Sequence, residues 1–394
     1  MLQRWQLQRR RSRAERGVQE PLRAALYGAE QMEAHGRALA ASHRVGQTPA
    51  AAALLQQLKT NEVQLDAAIA QLMLMARDDV RINPAGEWLL DNYYLVEEQI
   101  RMARRHLPEG YSRELPHLLR GHSAGLPRVY ALAREAIAHS DGRIDAVVLS
   151  RFIAAYQSVT PLTLGELWAI PIMLRLALID NLRRMATQVM RDGEDHRLAA
   201  DWARRLNRSA STSPKGLVLV VADMARSQPP LSGAFVAELT RGLHGRGALL
   251  SMPVAWVEQW VAEAGHSIES LVQAESQRQA ADRVSISNSI GSLRFLDHMD
   301  WREFVETMSL VDQVLRQDPA GVYARMDFAT RDAYRHAIER LARRGAMDEV
   351  RVAGLVLEQA RRAGSGEVEA HVGYHLVDAG LAQTSARVAA AAQP

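Results

Sequence analysis

Apolar positions recur at helical intervals along nearly the whole chain. Leu54, Leu58, Leu65, Ile69 and Leu72 are separated by four, seven, four and three residues, one face of an amphipathic helix. Ala, Leu, Arg, Glu and Gln dominate, and these are good helix formers. Strand signals are scarce. Leu217–Ala222 is a short β-branched run flanked by helical patterns, and it reads as a buried helix, with a lone strand as the alternative. The fold class expected is all-α: a multi-helical array of packed antiparallel helices, irregular α-solenoid or bundle-like. No repeat has a fixed period, so a regular tetratricopeptide array is not supported.

Punctuation places several helix ends. Asn83-Pro84 and Asp318-Pro319 each offer an N-cap followed by proline at the first helical position. Asp300-Trp301-Arg302-Glu303 is a capping-box pattern. Gly345 and Gly380 read as C-terminal stops, and Pro171 is expected to kink or split the helix spanning Leu162–Met190. These signals divide the chain into a basic disordered head (1–16), three helical subdomains (17–120, 121–213 and 214–385) and a frayed tail (386–394). Three helices are expected in the first subdomain, the last of them continuous from Glu87 to His106.

Composition changes this picture in two places. The 394 residues contain 47% hydrophobic residues, enough for a sizeable core, and no Cys. The absence of Cys excludes disulfides, thiolate metal sites, iron–sulfur clusters and cysteine nucleophiles, and it suits a reducing compartment. The net charge of +3 and pI near 9.3 invite a nucleic-acid reading that the charge distribution removes. Residues 1–16 carry Arg4, Arg9, Arg10, Arg11, Arg13 and Arg16 against Glu15 alone, a charge of +5 that leaves the rest of the chain at −2. The basic head is a solvated terminus or a weak contact for an anionic membrane surface, and nucleic acid is not an expected partner. No stretch is long and apolar enough to span a bilayer, and Arg175 interrupts the best candidate, Ala169–Ile179.

Candidate chemistry centres on Glu87–His106. Trp88, Leu95 and Met102 recur every seven residues, with Asp91, Glu98 and Arg105 as a neighbouring polar stripe and Glu97–Arg101 as an i,i+4 ion pair. Such a surface could bind sugar or a partner, but an ion-pair-laced helix joining two bundles is the better account, because polar stripes on helices are common and worth little individually. Tyr111, in the loop Gly110–Pro116, would suit a carbohydrate platform and would equally suit a packed loop. Glu166 and Trp168 precede Pro171, where Glu166 is best explained as a first-turn carboxylate satisfying free amides. Asp297, His298, Asp300 and Trp301 superficially resemble an acidic metal cluster, but Asp300 is accounted for as a cap and His298 has no partner His at i+4. The thirteen His are scattered, and HExxH, P-loop, dinucleotide and GxSxG patterns are all missing. No catalytic, cofactor or metal residue is assigned.

Four long strings carry more than periodicity. EWLLDNYYLVEEQIR (Glu87–Arg101), RRHLPEGYSRELPHL (Arg104–Leu118), FIAAYQSVTPLTLGELWAIPIMLRLALIDNLRR (Phe152–Arg184) and DWREFVETMSLVDQVLRQDPAGVYARMDFATRDAYRHAIERLARR (Asp300–Arg344) resemble cyclic β-1,2-glucan synthases, in the region that precedes their first membrane helices. The resemblance runs from about Pro21 to about Gln383. It implies a large inner-membrane glycosyltransferase of Gram-negative bacteria that builds β-1,2-glucan from UDP-glucose on the cytoplasmic side. In that family a phosphorylase-like part trims the chain, and the cyclised product is periplasmic. The membrane helices, the transferase with its acidic metal motif and the phosphorylase-like part do not occur before Pro394, so no catalytic residue carries over. UDP-glucose and a divalent metal are expected of the transferase domain and not of this chain. The resemblance thus implies an amino-terminal helical scaffold at the inner face of the inner membrane, with the transferase and membrane domains as partners and the growing glucan as a possible ligand. Trp88, Asp91, Glu98, Arg105, Tyr111, Glu166, Trp168 and Trp301 are the candidate contacts. The alternative is a standalone α-helical interaction module without catalytic activity.

Overall fold

The structure, a computed structural model, describes residues 21–46, 53–77, 82–107, 114–244, 247–363 and 367–391. The basic head lies outside these residues. Among them are seventeen α-helices and one antiparallel ladder of two-residue strands, β1 (Val45–Gly46) and β2 (His117–Leu118), in the register Val45↔Leu118. The protein is all-α.

The helices are α1 (Ala29–Ser42), α2 (Ala53–Arg77), α3 (Pro84–Asp91), α4 (Tyr93–His106), α5 (Arg128–Ala138), α6 (Ala146–Gln157), α7 (Leu164–Thr212), α8 (Leu217–Ser227), α9 (Gly233–Leu243), α10 (Ser251–Glu263), α11 (Ile268–His298), α12 (Trp301–Met308), α13 (Leu310–Leu315), α14 (Phe328–Gly345), α15 (Glu349–Arg362), α16 (Val372–Val377) and α17 (Leu381–Ala391).

Helix α7 is the spine. Its 49 residues reach about 74 Å at 1.5 Å per residue. Its first half is buried almost all round and packs against α2, α4, α5 and α12, while its second half packs against α8 and α9. Helix α11 runs beside it and touches α3, α7 and α9. Three apolar clusters result. The first gathers α1–α6, α7 as far as Val189, the end of α11 and α12. The second joins α7 from Ala199 onward to α8, α9 and α10. The third is built from α13–α17. One continuous helix therefore enters two cores.

Local expectations hold where local chemistry decides. Leu54, Leu58, Leu65, Ile69 and Leu72 are all buried, and Asn61 occupies the gap in their spacing, also buried. Asn83 Oδ1 accepts from Gly86 N–H at 2.8 Å with Pro84 at N1, and Asp300 caps α12 through the N–H groups of Arg302 and Glu303. Thr163 and Glu166 form a capping box at the start of α7.

Five expectations are corrected. Pro171 does not split the helix, because α7 runs through it. A proline inside a helix costs about 3 kcal/mol, and the all-round burial of Leu167–Leu182 outweighs that. The helix expected from Glu87 to His106 breaks at Asn92 (φ −114°, ψ 9°) into α3 and α4, so Trp88 no longer shares a straight face with Leu95 and Met102. Asp318-Pro319 starts no helix. The Asp318 carboxylate instead accepts from the N–H groups of Val322, Tyr323 and Val372 and pairs with His371, knotting a turn to a distant segment. At the end of α14 the left-handed residue is Ala346 (φ +48°) rather than Gly345, which is the last helical residue, with its missing Cβ facing Val388. Helix α8 is half-exposed rather than buried: Leu217 and Val221 face inward while Val218 and Leu219 face solvent. Gly380 does follow a helix, its N–H bonding the Tyr374 carbonyl at 3.1 Å, and the tail from residue 386 is helical through Ala391.

Helix α1 packs closely on α6, and Gly36 is the point of nearest approach. A Cβ there would lie 2.9 Å from the Phe152 carbonyl oxygen, a backbone atom that cannot rotate away. Gly36→Ala gains helix propensity of about 1 kcal/mol, yet overpacking costs about 1–3 kcal/mol. The expected outcome is a lowered thermal midpoint. A midpoint equal to or above that of the unaltered protein would show that α1 shifts freely against α6.

Candidate functional site

The seven candidate contacts among the described residues do not converge. Trp88, Asp91, Glu98 and Arg105 lie on the exposed side of α3 and α4, with Trp88 37% exposed. Tyr94, which the periodicity left unremarked, adds a second exposed aromatic there, 60% exposed, with its hydroxyl 3.5 Å from Arg294. Tyr111 lies outside the described residues. Trp301 is half-buried. Its indole N–H donates to the Leu296 carbonyl at 2.9 Å and its ring meets Phe304 edge-on, so it anchors α12 against the end of α11.

Glu166 and Trp168 belong to a buried junction instead. Glu166 is fully buried and holds Arg128 in a two-pronged pair: Arg128 Nε donates to Oε1 at 2.7 Å and the second guanidinium N–H group donates to Oε2. Arg128 also donates to the Pro161 carbonyl at 3.0 Å. Burial opposes the charge on Arg128, but Glu166 outweighs it and holds the guanidinium above its usual range. Glu166 Oε2 further accepts the Thr163 N–H at 2.9 Å, the reciprocal half of the capping box. Arg128 and Thr163 thus engage both oxygens of a fully buried Glu166.

Beside it, Leu164 N–H donates to Glu349 Oε2 at 2.8 Å, tying the start of α7 to the start of α15. Glu349 is buried, and that burial pushes its carboxyl up to about 7, helped by Glu339, Glu166 and Asp348 nearby and opposed by the Leu164 hydrogen bond. Trp168 meets the Phe328 ring edge-on (centroids 6.4 Å apart), and Arg302 and Arg335 stand over the same ring. Arg335 is fully buried and pairs with Glu306, Asp312 and Asp332. The first and third apolar clusters are thus joined by charged side chains whose partners lie far apart in sequence.

Two further buried networks were invisible to periodicity. Arg175, the residue that interrupts the apolar stretch of α7, donates to Gln99 Oε1 at 2.6 Å and to Asp297 Oδ1 at 2.7 Å, while Gln99 donates to Asp297 Oδ2 at 2.6 Å. Asp297 is therefore a partner of α7, and His298 Nδ1 turns to the Arg294 carbonyl, so the acidic cluster read around them does not assemble. Between the first two apolar clusters, Arg278 faces Asp192, Glu275 and Asp282, and Arg23 also reaches Asp282. Burial raises Asp192 to about 6 against the pull of Arg278.

The histidines read as scattered are partly gathered by the fold. His35 of α1 meets Glu135 of α5 and His139, the C-cap of that helix. The one sequence signal for this was the i,i+4 pair Glu135–His139, which puts both side chains on one helix face. Among the described residues no helix is long and apolar enough to cross a membrane.

No family model matches the chain. It is 34% identical over 282 residues to the cyclic β-(1,2)-glucan synthase NdvB of Rhizobium meliloti (strain 1021). The match covers 72% of this chain and 10% of that protein, so the chain spans a small part of its relative's length. The resemblance to cyclic β-1,2-glucan synthases is shown over that extent.

Proposed function

We propose that this chain is a non-catalytic helical support of β-1,2-glucan synthesis, working at the cytoplasmic face of the inner membrane beside a transferase that uses UDP-glucose. The observation that carries this reading is the 34% identity over 282 residues to part of a glucan synthase. The spine helix α7, fastened at its start to α5 and α15 by buried charges, gives a rigid frame suited to a support. Its proposed contact surface for the transferase or the growing glucan is the exposed side of α3 and α4, with Trp88, Asp91, Glu98 and Arg105. Aromatic anchors dominate contact energies, and an exposed indole next to carboxylates and Arg offers both stacking and hydrogen bonding to a sugar.

The test uses the Rhizobium synthase with its matched segment deleted or replaced by this chain, with glucan output and protein amount measured in membranes. Deletion should abolish output and the replacement should restore it. Trp88→Ala in the replacement should lower output by roughly tenfold at unchanged protein amount, about 1.4 kcal/mol of lost contact. Trp168→Ala should lower the protein amount itself, since that ring packs on Phe328. Full output after deletion removes the support role. Output that only tracks protein amount in Trp88→Ala removes the contact surface.

A further inference from the structure

His35, Glu135 and His139 bring three metal-competent atoms together, all within 4.8 Å of one another. His35 Nε2 lies 2.9 Å and His139 Nε2 3.5 Å from the same carboxylate atom, Glu135 Oε2. In a tetrahedral zinc site with bonds of about 2.0–2.1 Å, neighbouring donor atoms stand roughly 3.3 Å apart. The two separations bracket that edge, and the third, between the two histidine nitrogens, is within 4.8 Å.

The decisive detail is on the far side of His139. Its Nδ1 lies 2.7 Å from the Ala25 carbonyl oxygen, which can only accept, so Nδ1 carries the proton. In the neutral ring Nε2 then presents a lone pair, and it presents it to a carboxylate oxygen. Acceptor faces acceptor unless a cation or a second proton stands between them. An imidazole whose Nδ1–H is fixed by a backbone carbonyl while Nε2 points into a cluster of ligand atoms is the usual arrangement of a metal-binding histidine. Tyr27 stacks flat on the His139 ring at 3.9 Å, with an interplanar angle of 9°, which fixes the ring plane as well.

We propose that His35 Nε2, the Glu135 carboxylate and His139 Nε2 form a binding site for a zinc-class divalent metal, with the remaining position open to water. Two nitrogens and one carboxylate favour borderline metals over calcium or magnesium, which prefer all-oxygen sites. The half-exposed Glu135 and His35 leave an entry path. The metal would fasten α1 and the segment before it onto α5, where the bonds from Ala24 N–H to the Ala138 carbonyl and from Tyr27 N–H to the His139 carbonyl already hold them together. The inference is independent of the glucan-support reading, because no residue of the site lies on the α3–α4 surface.

The test uses the whole chain, stripped with a chelator and titrated with zinc chloride at neutral pH. One zinc per chain is expected to bind, and magnesium should not compete. In the unaltered protein, zinc should shield His35 and His139 from diethyl pyrocarbonate by at least about tenfold, read residue by residue by mass spectrometry, because modification needs the lone pair that the metal occupies. His35→Gln and Glu135→Gln should each weaken zinc binding by at least about tenfold, with circular dichroism reporting that the helices remain. If a variant fails to fold, the shielding pattern of the unaltered chain decides. Zinc that leaves His35 and His139 reactive, or that binds the folded variants as tightly as the original, overturns the proposal.

Discussion

Replacing Arg128 with Met is expected to destabilise the fold by about 3–5 kcal/mol, measured by chemical denaturation followed by circular dichroism. The size follows from what is left behind. Glu166 is fully buried, and once the guanidinium is gone its Oε2 accepts only from the backbone N–H and the hydroxyl of Thr163. An uncompensated buried carboxylate costs far more than the net worth of the pair, because both ions were desolvated in forming it. The Pro161 carbonyl also loses its donor, and the face of Tyr156 loses a cation at 5.8 Å. Met fills similar volume, so the loss is electrostatic rather than a cavity effect. Combining Arg128→Met with Glu166→Gln should recover a substantial part, because the neutral amide keeps an acceptor for the Thr163 N–H while removing the stranded charge. A loss below about 1 kcal/mol for the single variant would put this pair in the range of surface ion pairs and contradict its role as the anchor of α7.

The second large effect is a pH dependence that one substitution should flatten. The Glu349 carboxyl is raised from an ordinary value of 4.5 to about 7, chiefly by burial. Between those values the folded protein holds a proton that the unfolded chain releases. The resulting stabilisation is full below pH 4.5, falls as pH rises and is gone above about pH 7. Its size is at most about 3 kcal/mol at 1.36 kcal/mol per unit. Glu349→Gln keeps an acceptor for the Leu164 N–H and cannot ionise. The variant should match the original near pH 4 and exceed it by up to about 3 kcal/mol at pH 8. Asp192, raised to about 6, adds a slope of the same sign. Glu306 and Asp318 act in the opposite direction. Burial disfavours both as charges, but Arg331 and Arg335 on Glu306, and the Tyr323 and Val372 amides with His371 on Asp318, hold each carboxyl below its usual range. Their contribution is lost as pH falls through those lowered values, so the difference between variant and original, rather than either curve alone, isolates Glu349. A difference that stays constant from pH 5 to 8 would contradict the burial of its charge.

The elements were legible where residues within four positions of each other settle the matter. The buried face of α2, the Asn83 and Asp300 caps and the Thr163–Glu166 box all rest on side chains meeting their own helix. The errors share one cause. Pro171 reads as a breaker because its local cost is visible, while the packing around α7 that overrides it is not. Asp318-Pro319 has the chemistry of a helix start, but that carboxylate is claimed by Val372 and His371, more than fifty residues away. Arg175 reads as an interruption of an apolar stretch, and only the fold supplies Gln99 and Asp297 to neutralise it.

The sequence by itself determined the all-α class, most helix faces, the capping chemistry and the likeness to glucan synthases, since periodicity and wording need no knowledge of what lies across the core. The tertiary structure alone decided which charges are buried and with whom. Arg128 meets Glu166 across 38 residues and Arg175 meets Asp297 across 122. Charges over such separations interact only after the chain between them has folded, and once water is excluded each pairing is worth several times its value on a surface.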